Sequence, residues 1–447
     1  MYKFEMTQVL DERFLTRLVE KFRAREVRLY DKLDRYYNVK NDGILNRSMK
    51  HGKPNNKLCH GFARYITNMA TSYYAGKPVE YIIEDDEYKA CLEDYLDDQY
   101  NFDYEISKAA SKKGIAFELM YINEKSELKT KKYEAQDIIP IYSSRQDEFL
   151  NGFVRIYESR DLDGNLLCDY ADVYDKTDIY QFTRRTKASQ YELVDIKPHL
   201  LSDVPLIVYW NNEEVTGDYE CVISQIDAYD RAQSNSANDM DYFTDAYLIV
   251  IGAGGGFVDE NGDEIQPEDA ERNLRNNRVM YLDEHGDAKF LTKASDDTGA
   301  ENYKDRLFRD IFFISQVPPM TDESFAGDLS GIAIRYKLIG LEQLAIMKEN
   351  KMRLAKQKKI KMITEWINYK KSKHFDPSGV KQKYVRNFVT NVSEIIDNVG
   401  KLEGVVSKET QLQMLPSEIV KNAAEEMKRI RKEAEQNEDL FQEPLEE

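Results

Sequence analysis

The sequence predicts an α+β fold, helical at both ends, rich in strands in the middle, with one long helix late in the chain. Three observations carry that expectation. Apolar residues recur at helical spacing over 11–37, 57–74 and 88–111. Short β-branched and aromatic runs separated by turn signals fill 115–210. Gln316 to Ala355, QVPPMTDESFAGDLSGIAIRYKLIGLEQLAIMKENKMRLA, reads as a helix end, an acidic loop, and the start of a helix that runs from near Gly331 to roughly Lys370, about ten turns at ~3.6 residues per turn.

Taken in order, Phe14, Leu18 and Phe22 share one face of a first helix, and Asn38 to Asn56 is a polar loop. Leu58, Phe62, Tyr65, Ile66 and Met69 predict a second helix, stopped at Gly76-Lys77-Pro78. Strands are expected at Phe117–Ile122, Ile138–Tyr142, Phe153–Tyr157, Ala171–Tyr174, Asp178–Thr183 and Leu206–Trp210. Asp161-Leu162-Asp163-Gly164-Asn165 lacks the ligand spacing of a calcium loop and is simpler as a hairpin turn. Gly217-Asp218 opens a helix to about Phe243, unusually rich in Ser, Asn, Gln and Asp. These are weak helix formers, so an outside support is required, for which packing between neighbouring copies is one source.

Tyr247–Ile251, the Asn261-Gly262 hairpin and strands near 278–282 and 288–291 form a small module. A helix, Tyr303 to Gln316, follows, with Leu307, Phe308, Ile311 and Phe312 for packing. Val317-Pro318-Pro319 stops it, because proline lacks the N–H and clashes with the preceding turn. Asp328 and Ser330 suit the N-cap of the long helix, which carries a basic run from Lys348 to Lys361. That run is read either as a surface for DNA or an acidic partner, or as a helix face that pairs with acidic groups of the same chain. A strand at Val385–Val389, short helices over 392–404 and 407–415, and a charged helix over 417–436 complete the chain.

The 447 residues suffice for two or three domains. A net charge of −18 argues against tight binding along a DNA backbone, and an acidic surface facing DNA suits passage better than grip. The four cysteines, Cys59, Cys91, Cys168 and Cys221, have no paired spacing, which fits a reducing compartment without disulfides or zinc. The N-terminus has no apolar signal region, and no apolar run reaches the ~18 residues of a membrane span. The 30 tyrosines suit half-buried surfaces and subunit interfaces.

Motifs for chemistry are missing. There is no Walker sequence, Gly252 to Phe257 departs from the dinucleotide fingerprint, and no GxSxG is present. None of the five histidines stands at metal-ligand spacing with another His or Cys. No catalytic residue, cofactor or metal is therefore expected.

SFAGDLSGIAIRYKLIGLEQLAIMKE resembles the corresponding stretch of tailed-bacteriophage portal proteins of the SPP1 type. So does Asn56-Lys57-Leu58 through Phe62-Ala63-Arg64-Tyr65-Ile66 to Tyr74-Ala75-Gly76-Lys77-Pro78-Val79. A third block, Leu402-Glu403-Gly404-Val405-Val406-Ser407-Lys408-Glu409-Thr410 with Leu415-Pro416, is similar to the family's C-terminal pattern.

The resemblance implies a ring-forming subunit, dodecameric in the capsid, through which double-stranded DNA is packaged and ejected. It implies a wing over 1–216, continued at 331–371 and 372–400, and stem helices over 217–245 and 299–317. It also implies a clip over 246–298, a tunnel loop over 318–330, and a crown with an acidic tail over 401–447. Asp322, Glu323, Ser324, Phe325 and Asp328 would belong to the tunnel loop. Lys304, Arg306, Arg309, Lys348 and Lys351 are candidate DNA-facing cations. The implied partners are the large terminase, scaffold and major capsid proteins and a head-completion adaptor. The implied location is the virion, after assembly in the host cytoplasm. The competing reading is a bacterial multidomain scaffold, or an enzyme without a recognisable motif.

Overall fold

A computed structural model describes residues 2–49, 54–96, 99–144, 149–244, 247–251, 297–320, 331–387, 392–415, 419–420 and 422–440, with short stretches between 257 and 291. The chain divides into two compact units: Met1–Pro318 with Gly340–Val385, and Pro319–Ile339 with Arg386–Glu447.

In the first unit, strand β1 (Tyr2–Lys3) precedes helix α1 (Glu12–Phe22), a π-helical turn at Arg23–Val27, and α2 (Arg28–Tyr37). Asp11 caps α1 by accepting from the Phe14 amide at 2.8 Å. Next come α3 (Phe62–Ala75), β2 (Glu80–Ile82), α4 (Asp86–Leu96) and α5 (Gln99–Lys113). The strand-rich middle comprises β3 (Ile115–Ile122), β4 (Leu128–Tyr133), β5 (Ile138–Tyr142), β6 (Leu150–Arg160), β7 (Leu166–Tyr174), β8 (Asp178–Arg184), β9 (Glu192–Pro198) and β10 (Leu206–Trp210).

These strands form two sheets. One has six strands in the order β1-β5-β6-β7-β8-β9, antiparallel except for the parallel β1–β5 pair. The other is β10-β3-β4. Leu15, Leu18, Val19 and Phe22 of α1 bury against Ile139, Val154, Val173 and Phe182 of the larger sheet. The Asp161–Asn165 segment is the expected hairpin turn, with the Asp161 amide donating to the Asn165 carbonyl at 3.0 Å. Sequence reasoning omitted β4 and β9. LKTKKY and ELVDIKP are too polar to read as strands, and the whole of β9 is exposed at the sheet edge, where charge is a protection against further pairing.

Beyond β10 a 3₁₀ turn at Glu220–Val222 leads into α6 (Ile223–Thr244). The module that follows has β11 (Tyr247–Ile251), β12 (Phe257–Val258), β13 (Glu264–Ile265), β14 (Tyr281–Leu282) and β15 (Asp287–Leu291). β11 pairs with β15, and β12 pairs with β13 and β14. Helix α7 (Asp297–Ser315) packs along α6. Tyr247 stands opposite Leu291 in the β11–β15 ladder, so the chain leaves α6 and returns toward α7 through adjacent strands.

The long helix is broken where a continuous one was expected. α8 (Gly331–Lys337) ends at a turn at Leu338, and α9 (Ile339–Lys371) follows. The strand expected at Val385–Val389 lies earlier. β16 (Lys381–Lys383) pairs with β2, residues 385–387 are not strand, and 388–389 fall outside the described residues. Lys381 and Lys383 are exposed while Gln382 is buried, so the hydrophobic pattern gave no signal there.

α9 closes the main core of the first unit. Ala345, Met352, Ile363 and Ile367 meet Leu92 of α4, Ile106 of α5 and Ile207 of β10. In the second unit, α10 (Val392–Gly400), α11 (Lys408–Met414) and α12 (Ala423–Leu440) follow. Ser407 caps α11 by accepting from the Thr410 amide at 3.2 Å, which matches the expected helix start.

Candidate functional site

The polar helix α6 is supported from within its own chain. Asp227, Asp230, Ser234 and Asn238 recur at helical spacing and form one stripe. Residues from 36–49 and 54–60 reach it. Tyr36 donates to Asp227 at 2.7 Å. Asn41 and the His60 amide donate to Asp230 at 2.5 and 3.0 Å. The Leu58 amide donates to Ser234 at 3.0 Å, and the Asn56 amide to Asn238 at 2.8 Å. Residues that disfavour a helix in isolation become acceptors for a chain segment with no sheet of its own. The support from outside the helix that its composition requires therefore comes at least in part from this chain's own N-terminal region.

The opposite partner of α6 is α7, and α3 completes the contact through aromatic rings. Phe62 sits 5.1 Å from Tyr229, 6.0 Å from Phe308 and 5.8 Å from Phe312, all edge-on. At the far end of α7 the Tyr65 hydroxyl donates to the Pro318 carbonyl at 3.1 Å.

The candidate cations divide into two groups. Arg306 and Arg309 are exposed on α7, where they line a shallow groove of about 590 Å³ with Asn302, Tyr303, Asp305 and Asp310. Lys304 is turned the other way: it is 5% exposed, donates to Ser236 of α6 at 3.3 Å and pairs with Glu301. It joins two helices and presents no ammonium to a surface. Asp322, Glu323, Ser324, Phe325 and Asp328 lie outside the described residues, as does the Asp328–Ser330 cap.

Three of the seven cations in the basic run of α9 are likewise interior. Lys348 is 3% exposed, and its ammonium donates to both Asp218 oxygens at 2.8 Å, to Ser111 at 2.7 Å and to Asn211. Lys356 pairs with Asp103 of α5, and Lys359 with Glu118 of β3 at 2.6 Å. The second oxygen of Glu118 accepts from Tyr209 at 2.6 Å. Burial would raise the Glu118 carboxyl, but Lys359 and Lys356 beside it hold it below the ordinary glutamate range. Burial lowers Lys359 against the pull of Glu118. Lys348 is therefore removed from the candidate DNA-facing set, because its charge is neutralised inside the protein. Lys351 pairs with Glu213 nearer the surface. A signal for this was present: Lys348, Lys356 and Lys359 continue the stripe of Leu341, Ala345 and Met352 at helical spacing, so they belong to the inward face.

Among the described residues no group of three or more His, Cys, Asp or Glu could hold a metal ion, and no helix is long and apolar enough to cross a membrane.

A helix pair bracketing a small β module, with a long helix entering the core, is the setting in which the comparisons fall. The family described as phage portal protein, SPP1 Gp6-like, matches residues 19–440, and the chain belongs to that family. It is a phage portal subunit, and the family is a structural component of the particle. A portal protein of Bacillus phage SPP1 is 24% identical over 400 residues, covering 86% of this chain and 77% of that protein. A portal protein of Clostridium phage phiCD119 is 25% identical over 403 residues, covering 83% and 85%. Among solved structures, a chain from the neck of an empty GTA particle computed with C6 symmetry gives a TM-score of 0.47 at 13% identity, covering 80% of this chain and 90% of that one. A chain from the virion of a native gene transfer agent particle gives 0.47 at 11%, covering 87% and 93%.

Proposed function

We propose that this subunit closes with copies of itself into a ring at one capsid vertex, and that double-stranded DNA is packaged and ejected through the ring's channel. The match of one portal family to residues 19–440 carries the reading. In it, 1–216, 331–371 and 372–400 form the wing, α6 and α7 with their flanks (217–245 and 299–317) the stem, and 246–298 the clip. Residues 318–330 form the tunnel loop, and 401–447 the crown and acidic tail. A dodecamer is the expected stoichiometry. The clip is the expected dock for the large terminase and then the head-completion adaptor. Scaffold and major capsid proteins join during assembly in the host cytoplasm.

The charge pattern supports a conduit. Asp322, Glu323 and Asp328 multiplied round a ring would repel phosphate and centre the duplex. Arg306 and Arg309, exposed on α7 beside Asp305 and Asp310, would offer only weak, salt-sensitive phosphate contacts. Negative-stain electron microscopy of the purified protein is the test. Rings with a central hole and a countable number of subunits support the reading. Small uniform particles that persist after scaffold protein is added would overturn it.

A further inference from the structure

The three buried lysines of α9 pose a question that packing alone does not answer. Much of the inward face of this 33-residue helix is built from interchangeable side chains, including Leu344, Ala345, Met352, Ala355 and Met362. Methionine and alanine accept many neighbours, so such a stripe packs tolerably in more than one register. A slide of about one turn, ~5.4 Å, would exchange one apolar residue for another along much of the face.

The charged positions do not allow that exchange. Asp218, Asp103 and Glu118 sit on three different elements, preceding α6, on α5 and on β3. After a slip of four residues, Asp218 would face Leu344 or Met352 in place of Lys348. Asp103 would face Met352 or Ile360, and Glu118 would face Ala355 or Ile363. In either direction all three carboxylates lose their cations at once, and a buried unpaired carboxylate is not tolerated. The native register also satisfies the neighbours: Lys348 serves Ser111 and Asn211 as well, and Glu118 holds Tyr209.

Register matters at the start of α9. Gly340 abuts Gln316, the residue after α7, which is held at φ 59°. A Cβ at Gly340 would stand 3.5 Å from the Gln316 Cβ and 3.3 Å from its carbonyl oxygen. These residues are the two roots from which 317–339 departs and to which it returns.

We propose that Lys348, Lys356 and Lys359 are positioning residues that specify the register of α9, and through it the separation of Gln316 and Gly340 at the root of the loop segment. The assignment of that segment as a tunnel loop rests on the portal reading, whereas the register device does not.

The close approach supplies its own gauge, because a Cβ–Cβ separation near 3.5 Å suits a disulfide. In the full-length chain, with Cys59, Cys91, Cys168 and Cys221 replaced by alanine, Gln316→Cys and Gly340→Cys are combined. The pair is oxidised with copper phenanthroline and the crosslinked fraction read by mass after thiol alkylation. Near-complete crosslinking is expected with the three lysines in place. Replacing all three pairs by apolar residues (Lys348→Met with Asp218→Leu, Lys356→Met with Asp103→Leu, Lys359→Met with Glu118→Met) should leave a cooperatively melting protein whose crosslinked fraction falls at least twofold. Reversing one pair in the otherwise native chain, Lys359→Glu with Glu118→Lys, should keep crosslinking near complete. Full crosslinking in the folded apolar variant overturns the proposal. Should that variant not fold, the three single-pair replacements decide: a fall in any of them supports the proposal, and full crosslinking in all three overturns it. Ring formation does not enter this readout, so the result stands apart from the portal reading.

Discussion

Lys348 and Asp218, 130 residues apart, meet in the interior with the lysine ammonium 2.8 Å from each carboxylate oxygen. Their contact ties the start of α9 to the approach of α6. Replacing Lys348 by Met alone leaves Asp218, 1% exposed at its side chain, without its cation. The expected loss is about 3–5 kcal/mol, read as a lower urea midpoint with the denaturant slope unchanged. Adding Asp218→Leu should return most of it, since an apolar pair of similar volume avoids the stranded charge.

Asp169 makes stability depend on acid. It accepts from both Arg23 nitrogens at 2.6 and 2.8 Å and from Arg184 at 3.0 Å. Burial would raise its carboxyl, but the two guanidiniums outweigh that and hold it below the ordinary aspartate range. A carboxyl lowered on folding binds fewer protons in the folded chain. Its stabilisation is therefore present above the unfolded value of about 3.9 and lost as pH falls through the lower folded value. Asp169→Asn should cost about 3–5 kcal/mol at pH 7. It should also flatten the decline of stability below about pH 4, measured by denaturant melts across pH.

Asp230 anchors the segment that covers α6. Asp230→Ala strands donors from Asn41 and the His60 amide. Each unsatisfied buried group costs about 1–3 kcal/mol, so the segment should open before the domain unfolds. Limited proteolysis should then cut within 41–49 or 54–60 in the variant and spare those stretches in the wild type. Equal cleavage of both would show that the segment is held elsewhere.

The loop carboxylates and the α7 arginines should act oppositely on DNA. Replacing Asp322, Glu323 and Asp328 by lysine is expected to slow translocation, and a normal packaging rate would discard the idea of a repulsive lining. Replacing Arg306 and Arg309 by alanine should make DNA passage less sensitive to salt, since each phosphate contact contributes about −0.9 to the logarithmic slope. An unchanged slope would remove them from the channel wall.

Much of the architecture was legible because local patterns carry it. Ile138–Tyr142, Leu206–Trp210 and Tyr247–Ile251 were placed to the residue by β-branched and aromatic composition, and Ser407 by its capping chemistry. The family too was legible, in three blocks spread from Asn56 to Pro416. Pattern failed where polarity hid a partner. β4 and β9 read as too charged for strands, and the serines and aspartates of α6 read as a helix lacking support, when Tyr36, Asn41, Asn56 and the 58–60 backbone supply it.

The basic run shows the division most clearly. By itself the sequence determined that α9 is a long helix carrying seven cations between Lys348 and Lys361. Only the tertiary structure decided that Lys348, Lys356 and Lys359 are interior, because Asp218, Asp103 and Glu118 come from distant parts of the chain. Helical spacing states which side chains share a face. Whether that face meets water or a buried carboxylate is fixed by what packs against it, and a charge is stable in the interior only where folding brings its counter-charge within hydrogen-bonding reach.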